Sequence, residues 1–133
     1  MAQKATVMVV EDDAVLRRAL AELLQIWGYE AETASDGLEA LDKIRACPPV
    51  VVISDLLMPR MGGIELLQAL RVAVPNVSCI ILTAAGSPEN AVQAVCLGAV
   101  DFIEKPLDPE RLRSDLRMCF AHSEPPAVQT FLR

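Results

Sequence analysis

Aromatic residues, histidine and positive charge are all scarce in this chain. Phe, Trp and Tyr make up 4% of its 133 residues, so the core has to be built from aliphatic side chains. A single histidine, His122, reads as a surface residue in a last helical turn, where a cation suits the helix dipole. It leaves little for a zinc site or for acid–base catalysis, and the four cysteines (Cys47, Cys79, Cys96, Cys119) contain no CxxC pair. Buried, reduced thiols in a reducing compartment are the expectation for them. Lys and Arg number 12 against 18 Asp and Glu, a net charge of −6. The basic face that engages nucleic acid is missing, so no direct nucleic-acid contact by this chain is expected. No apolar run approaches the ~20 residues of a membrane span. Met1-Ala2-Gln3-Lys4 leads straight into a strand-like segment rather than a secretion signal. With 53% hydrophobic residues the chain is far from disordered, and its length suits one domain. A soluble, cytoplasmic domain with no membrane partner is the expectation.

Five short apolar runs alternate with five helix-like stretches. The strand-like runs are Ala5 to Val10, Glu30 to Ala34, Val50 to Ile53, Cys79 to Leu82 and Val100 to Ile103. Between them, helical spacing links Leu16, Leu20, Leu23, Leu24 and Trp27, then Leu38, Leu41 and Ile44, then Ile64, Leu67, Leu70 and Val74. Asp36 with Glu39 reads as a capping box, Ser87-Pro88 and Asp108-Pro109 as caps followed by proline, and Gly28 and Gly98 as helix stops. A last helix carries Leu112, Leu116, Cys119 and Phe120. Strict alternation implies a parallel sheet with helices on both faces. The runs ending at Val10, Ile53 and Leu82 are almost wholly apolar, as central strands are; those around Glu32 and Asp101 carry charge, as edges tolerate. The fold expected is flavodoxin-like: a doubly wound (βα)5 sheet of five parallel strands in order 2-1-3-4-5. Residues 5–120 form the domain; 121–133, with Pro125-Pro126, read as a tail or the start of an interdomain linker.

Ligands of open α/β sheets sit beyond the carboxyl ends of the strands. There the chain places Glu11-Asp12-Asp13 after the first strand, Ser54-Asp55 after the third, Thr83 after the fourth and Lys105 after the fifth. A dinucleotide-binding strand would be followed by GxGxxG, which is missing here. Converging carboxylates repel and call for a cation; oxygen ligands of this kind suit Mg²⁺ or Mn²⁺. A metal, the Lys105 ammonium and the Thr83 hydroxyl would together clamp a phosphoryl group, with Asp55 as nucleophile. Taken singly, each residue has an ordinary explanation: Asp12-Asp13 as a helix cap, Asp55 as a turn residue, Lys105 as a solvated lysine. Their coincidence at the ends of four strands favours phosphoryl transfer to Asp55. Phe102 fits a half-buried strand aromatic or a switching role equally well. Met58 reads as core or loop packing.

Val9-Val10-Glu11-Asp12-Asp13, Ser54-Asp55-Leu56-Leu57-Met58-Pro59, Gly62-Gly63, Leu82-Thr83-Ala84 and Gly98-Ala99-Val100-Asp101-Phe102-Ile103-Glu104-Lys105-Pro106 form an ordered set. With it the chain resembles the receiver domain of two-component response regulators from about Thr6 to Phe120. The resemblance implies that Asp55 accepts phosphate from a phosphohistidine on a sensor histidine kinase or phosphotransfer protein. It implies Mg²⁺ held by Asp12, by Asp55, by Glu11 through water and by the Leu57 backbone carbonyl. Lys105 would pair with the phosphate, Thr83 would hydrogen-bond it, and Phe102 would be the coupled aromatic. Asp13 is an acid beyond the family's usual pair, and a cis bond before Pro106 is common among members. The chain would then be a phosphorylation-activated switch, catalysing only its own phosphorylation and dephosphorylation. It would change its helix 4-strand 5-helix 5 surface to control a partner or output domain, with a homodimer on phosphorylation as one outcome. The segment from Asp101 to Leu107 resembles receivers attached to enhancer-binding activators or to helix-turn-helix output domains of transcription. Two alternatives fit less well. A phosphohydrolase of the haloacid-dehalogenase type would carry an acid where Leu57 stands, and a flavodoxin-like cofactor binder would not tolerate Glu11-Asp12-Asp13. Neither Leu57 nor Ala85, two positions beyond Asp55 and Thr83, can orient or activate water, so hydrolysis that is not strongly self-assisted is expected, with Leu57 adding apolar cover.

Overall fold

Among the described residues ten elements alternate: β1 (Thr6–Val10), α1 (Ala14–Ile26), β2 (Glu30–Ala34), α2 (Gly37–Ala46), β3 (Val51–Asp55), α3 (Gly63–Ala73), β4 (Ser78–Thr83), α4 (Pro88–Cys96), β5 (Asp101–Glu104) and α5 (Pro109–Ser123). The structure is a computed structural model and describes residues 6–84 and 86–121, with the α5 backbone continuing to Ser123. Ala5, Ala85, the His122 side chain and the proline-containing tail, all given roles above, lie outside the described residues.

All strand pairs are parallel, and the sheet order is β2-β1-β3-β4-β5. β1, β3 and β4 are buried along almost their whole length, whereas β2 alternates exposed and half-buried residues up to the buried Ala34, as an edge should. Because successive side chains point to opposite faces, each central strand feeds two cores. Met8, Val10, Val52, Cys79 and Ile81 pack with α2, α3 and α4 through Ile44, Leu66, Leu67, Leu70 and Ala94. Val7, Val9, Val51, Ile53, Ile80 and Leu82 pack with α1 and α5 through Leu20, Leu24, Leu112 and Leu116. A Leu-to-Ala change in either core would cost about 2–5 kcal/mol.

The helix signals act as read. Asp36 caps α2, its Oδ1 accepting from Glu39 N–H at 2.9 Å; the Glu39 carboxylate reaches back to Ser35 N–H at 3.1 Å, one residue beyond the usual capping-box partner. Ser87 caps α4 with Pro88 in its first turn, and Gly28 and Gly98 close α1 and α4 at φ +94° and +88°. Boundaries move by a residue or two. β3 begins at Val51 rather than Val50 and runs on through Ser54 and Asp55, because the ladder to β4 extends to Asp55↔Leu82. β5 starts at Asp101 instead of Val100, and α5 extends to Ser123. Two expectations about burial fail. Cys47 caps the end of α2 and Cys96 ends α4, and both are exposed; only Cys79 and Cys119 are buried. Leu38 is also exposed, since α2 turns Ala40, Leu41 and Ile44 inward. No helix among the described residues is long and apolar enough to cross a membrane.

Candidate functional site

The register gathers the strand ends. Val10 lies opposite Ser54, Asp55 opposite Leu82 and Thr83 opposite Glu104, so the residues after β1, β3, β4 and β5 open onto one rim. Glu11, Asp12 and Asp55 meet there, each offering a carboxylate oxygen, with the three oxygens within 4.8 Å of one another. Lys105 enters from the β5 side. Its Nζ stands 3.4 Å from Glu11 Oε2 and 3.6 Å from Asp55 Oδ2.

The three consecutive acids divide their roles. Asp13 caps α1, its Oδ1 accepting from the N–H groups of Val15 (3.0 Å) and Leu16 (3.3 Å). That leaves the exposed Asp12 to the cluster and accounts for the third acid. Glu11 is 2% exposed; its Oε1 accepts from Asp13 N–H at 3.2 Å, and its backbone carbonyl accepts from Arg17 Nη1 at 2.7 Å. Asp55 Oδ1 accepts from Leu56 N–H at 2.7 Å, which leaves Oδ2 directed to Lys105. Lys105 N–H donates to the Thr83 carbonyl at 2.8 Å, tying the β5 end to β4, and the Lys105–Pro106 bond is cis.

One ammonium against three carboxylates leaves the cluster short of positive charge. Burial, reinforced by Asp55, pushes the Glu11 carboxyl up to about 7, against the opposing pull of Asp13 N–H and Lys105. A buried acid of that kind suits a divalent cation: oxygen donors only, few of them, with one edge open to water at Asp12. Glu11, Asp12 and Asp55 could therefore hold a metal ion, and a Leu57 carbonyl ligand would come from the loop directly after Asp55.

Thr83 is buried at the end of β4. Phe102 is half-buried and packs against the core on the α2–α4 side of the sheet, as Met58 does. The Leu57 side chain is exposed, 61%, so it gives less apolar cover to Asp55 than its type suggested. Gly86 is a site residue that the sequence reading passed over. A Cβ there would lie 2.8 Å from Phe102 Cε1 and 3.2 Å from Thr83 Cγ2, so the β4–α4 loop approaches both residues only because position 86 is glycine. A glycine just before the Ser87-Pro88 cap was the available signal.

A doubly wound sheet with an acid cluster and a lysine over its carboxyl edge is the architecture of a phosphoacceptor signalling domain. Comparison with known proteins agrees. Residues 7–117 match the family model described as response regulator receiver domain, and the chain belongs to that family. It is 37% identical over 131 residues to the transcriptional regulatory protein ZraR of Klebsiella oxytoca, covering 96% of this chain and 30% of that protein. It is 34% identical to the response regulator MprA of Mycobacterium avium, covering 90% of this chain and 52% of that one. The chain thus spans a third to a half of the length of these relatives. Among solved structures, the chemotaxis protein CheY4 of Vibrio cholerae superposes with a TM-score of 0.80 at 36% identity, covering 88% of this chain and 99% of that one.

Proposed function

We propose that the chain is a switch turned by phosphorylation of Asp55. The observation that carries this reading is the pairing of Asp55 with a buried Glu11 and with Lys105 in a cluster short of positive charge. The Asp55 carboxylate oxygen attacks the phosphorus of a phosphohistidine on a sensor histidine kinase or phosphotransfer protein. The P–N bond breaks, the imidazole leaves, and an acyl phosphate forms on Asp55. A cation held by Glu11, Asp12, Asp55 and the Leu57 carbonyl would neutralise charge on the phosphoryl oxygens. Lys105 supplies a point charge to the same oxygens, and Thr83 supplies a hydroxyl donor. Residues 5–120 form the working unit, in the cytoplasm, and 121–133 are a tail or the start of a linker to an output domain. The output is control of transcription, exerted through a partner or attached domain and without nucleic-acid contact by this chain.

The switch runs through Phe102. Thr83 reaches a phosphoryl group on Asp55 by moving toward it with the β4–α4 loop, and the Phe102 ring follows into the space released. Burying much of a phenyl ring is worth about 1.5–3 kcal/mol, so one modification can bias the two states. Incubation with acetyl phosphate and Mg²⁺ tests the reading: intact-mass analysis should show one added phosphoryl group, lost in Asp55→Asn. No added mass with any divalent cation would contradict it.

A further inference from the structure

The loop from β3 to α3 contains a backbone conformation that its sequence does not favour. Arg60 sits at φ 68°, the one non-glycine residue with positive φ among the described residues. Met61 N–H donates back to the Pro59 carbonyl at 2.8 Å, two residues upstream, which makes Arg60 the centre of a γ-turn of the rare positive-φ kind. Glycine adopts this turn freely; an arginine in it is strained and stays only if its surroundings hold it.

What holds it is the start of α2. Arg60 Nε donates to Asp36 Oδ2 at 2.8 Å, and Nη2 lies 2.6 Å from the same oxygen. The other Asp36 oxygen caps the helix, and this Glu39 N–H bond, with Arg60, holds the Asp36 carboxyl below the usual range. Next to it, Gly37 N–H donates to the Met61 carbonyl at 3.1 Å, an approach that a Cβ on Gly37 would block at 2.7 Å. The other end of the loop is pinned at the site itself. Gly63 N–H donates to the Leu56 carbonyl at 2.9 Å, and a Cβ on Gly63 would lie 2.4 Å from the Asp55 carbonyl oxygen. Leu57, Met58 and Pro59 are strung between these two anchors.

We propose that Arg60 is a positioning residue: its ion pair with Asp36, 24 residues away in sequence, holds the strained turn and thereby sets the Leu57 carbonyl at the acid cluster, so that divalent-cation affinity depends on the start of α2. The inference rests on the cation site described above, with Leu57 as a ligand. An ordinary structural clamp would change only the stability of the fold. The positioning role changes Mg²⁺ affinity in a pattern set by backbone strain.

Calorimetric titration with Mg²⁺, alongside thermal unfolding of the metal-free protein, separates the two. Arg60→Ala removes the ion pair but keeps a side chain that resists positive φ, so the loop relaxes and Mg²⁺ binding weakens about three- to tenfold. Arg60→Gly also removes the ion pair but relieves the strain, so affinity stays within about twofold of wild type. Asp36→Asn retains a capping side chain and loses the ion pair. It should weaken binding as Arg60→Ala does, yet add nothing in an Arg60→Gly background. Equal Mg²⁺ affinity in wild type, Arg60→Ala and Asp36→Asn would overturn the inference while leaving the cation site standing, and so would an Arg60→Gly variant as weak as Arg60→Ala. A wild-type protein that binds no Mg²⁺ would overturn the cation site and this inference together.

Discussion

Asp12 and Asp13 are chemically identical neighbours with opposite duties, and the difference lies in what their oxygens meet. Asp13 faces two backbone N–H groups at the start of α1, while Asp12 faces Asp55 and Glu11. Asp12→Asn should therefore weaken Mg²⁺ binding at least tenfold while leaving the metal-free protein no less stable, since a like charge is removed. Asp13→Ala should do the reverse, costing about 1 kcal/mol of stability with little change in affinity. Titration and urea unfolding of both variants check the pair, and an unchanged Mg²⁺ affinity in Asp12→Asn would remove that residue from the site. Gly86 gives a second prediction at this scale. A methyl group there would meet the Phe102 ring at 2.8 Å, and the ring, as the end of a side chain, is expected to give way at a cost of about 1 kcal/mol. The ring resonances of Phe102 should shift in Gly86→Ala without phosphorylation; unshifted resonances would mean that the loop, not the ring, gives way.

At the scale of elements, β5 and α5 are joined by a group of charges. Arg111 donates to both Asp101 oxygens, at 2.8 and 2.5 Å, and to the Phe102 carbonyl at 3.2 Å. It holds the Asp101 carboxyl down at about 2. Behind it, burial and the neighbouring Asp101 push the Asp115 carboxyl up to about 7. Asp108 also faces Arg111, and Cys119, paired with Ser78 of β4, faces Asp115. The two acids act on stability in opposite directions. Asp101, lowered, contributes above its unfolded value of 3.8 and loses that contribution as pH falls toward 2. Asp115, raised above the same value, contributes below 3.8 and loses that contribution as pH rises through about 7. Asp115→Asn should therefore be more stable than wild type at pH 8, by about 1–3 kcal/mol, with the gain shrinking toward pH 5. Urea unfolding at the two pH values decides it, and a pH-independent difference would contradict the assignment of the proton to Asp115. None of this was legible in the sequence. β/α alternation and cap residues are local signals and located every element, whereas Asp101 and Asp115 come together only through the packing of α5 on the sheet. The same holds for Arg60, since arginine carries no signal for positive φ and its partner Asp36 belongs to another helix. The acid cluster was legible because the carboxyl edge of a doubly wound sheet is fixed by topology, so strand ends could be read as neighbours.

For the molecule as a whole, the face built from α4, β5 and α5 is where a change at Thr83 and Phe102 would surface. It exposes Val92, Val95, Val100 and Met118. Glu89, Asp101, Glu104, Arg111, Arg113 and Arg117 lie on these three elements, but several are engaged within the chain. Asp101 and Arg111 bind each other, and Arg113 stacks over Trp27 at 5.5 Å. Glu89, Glu104 and Arg117 remain as exposed charges around an apolar centre, an arrangement suited to a self-complementary contact. Beryllofluoride, which mimics the phosphoryl group on Asp55, should drive dimerisation through this face in sedimentation experiments. A monomer at high concentration, with Phe102 in an unchanged environment, would contradict both the contact and the aromatic coupling.

The proposed switch depends on one covalent event, phosphorylation of Asp55, at a rim where the carboxylates of Glu11, Asp12 and Asp55 meet. Borohydride reduction of the acyl phosphate, followed by peptide mapping of protein treated with acetyl phosphate and Mg²⁺, locates that event. The account predicts homoserine at position 55 and nowhere else. Homoserine at position 12 or 13, or no reduction product at any aspartate, would contradict it.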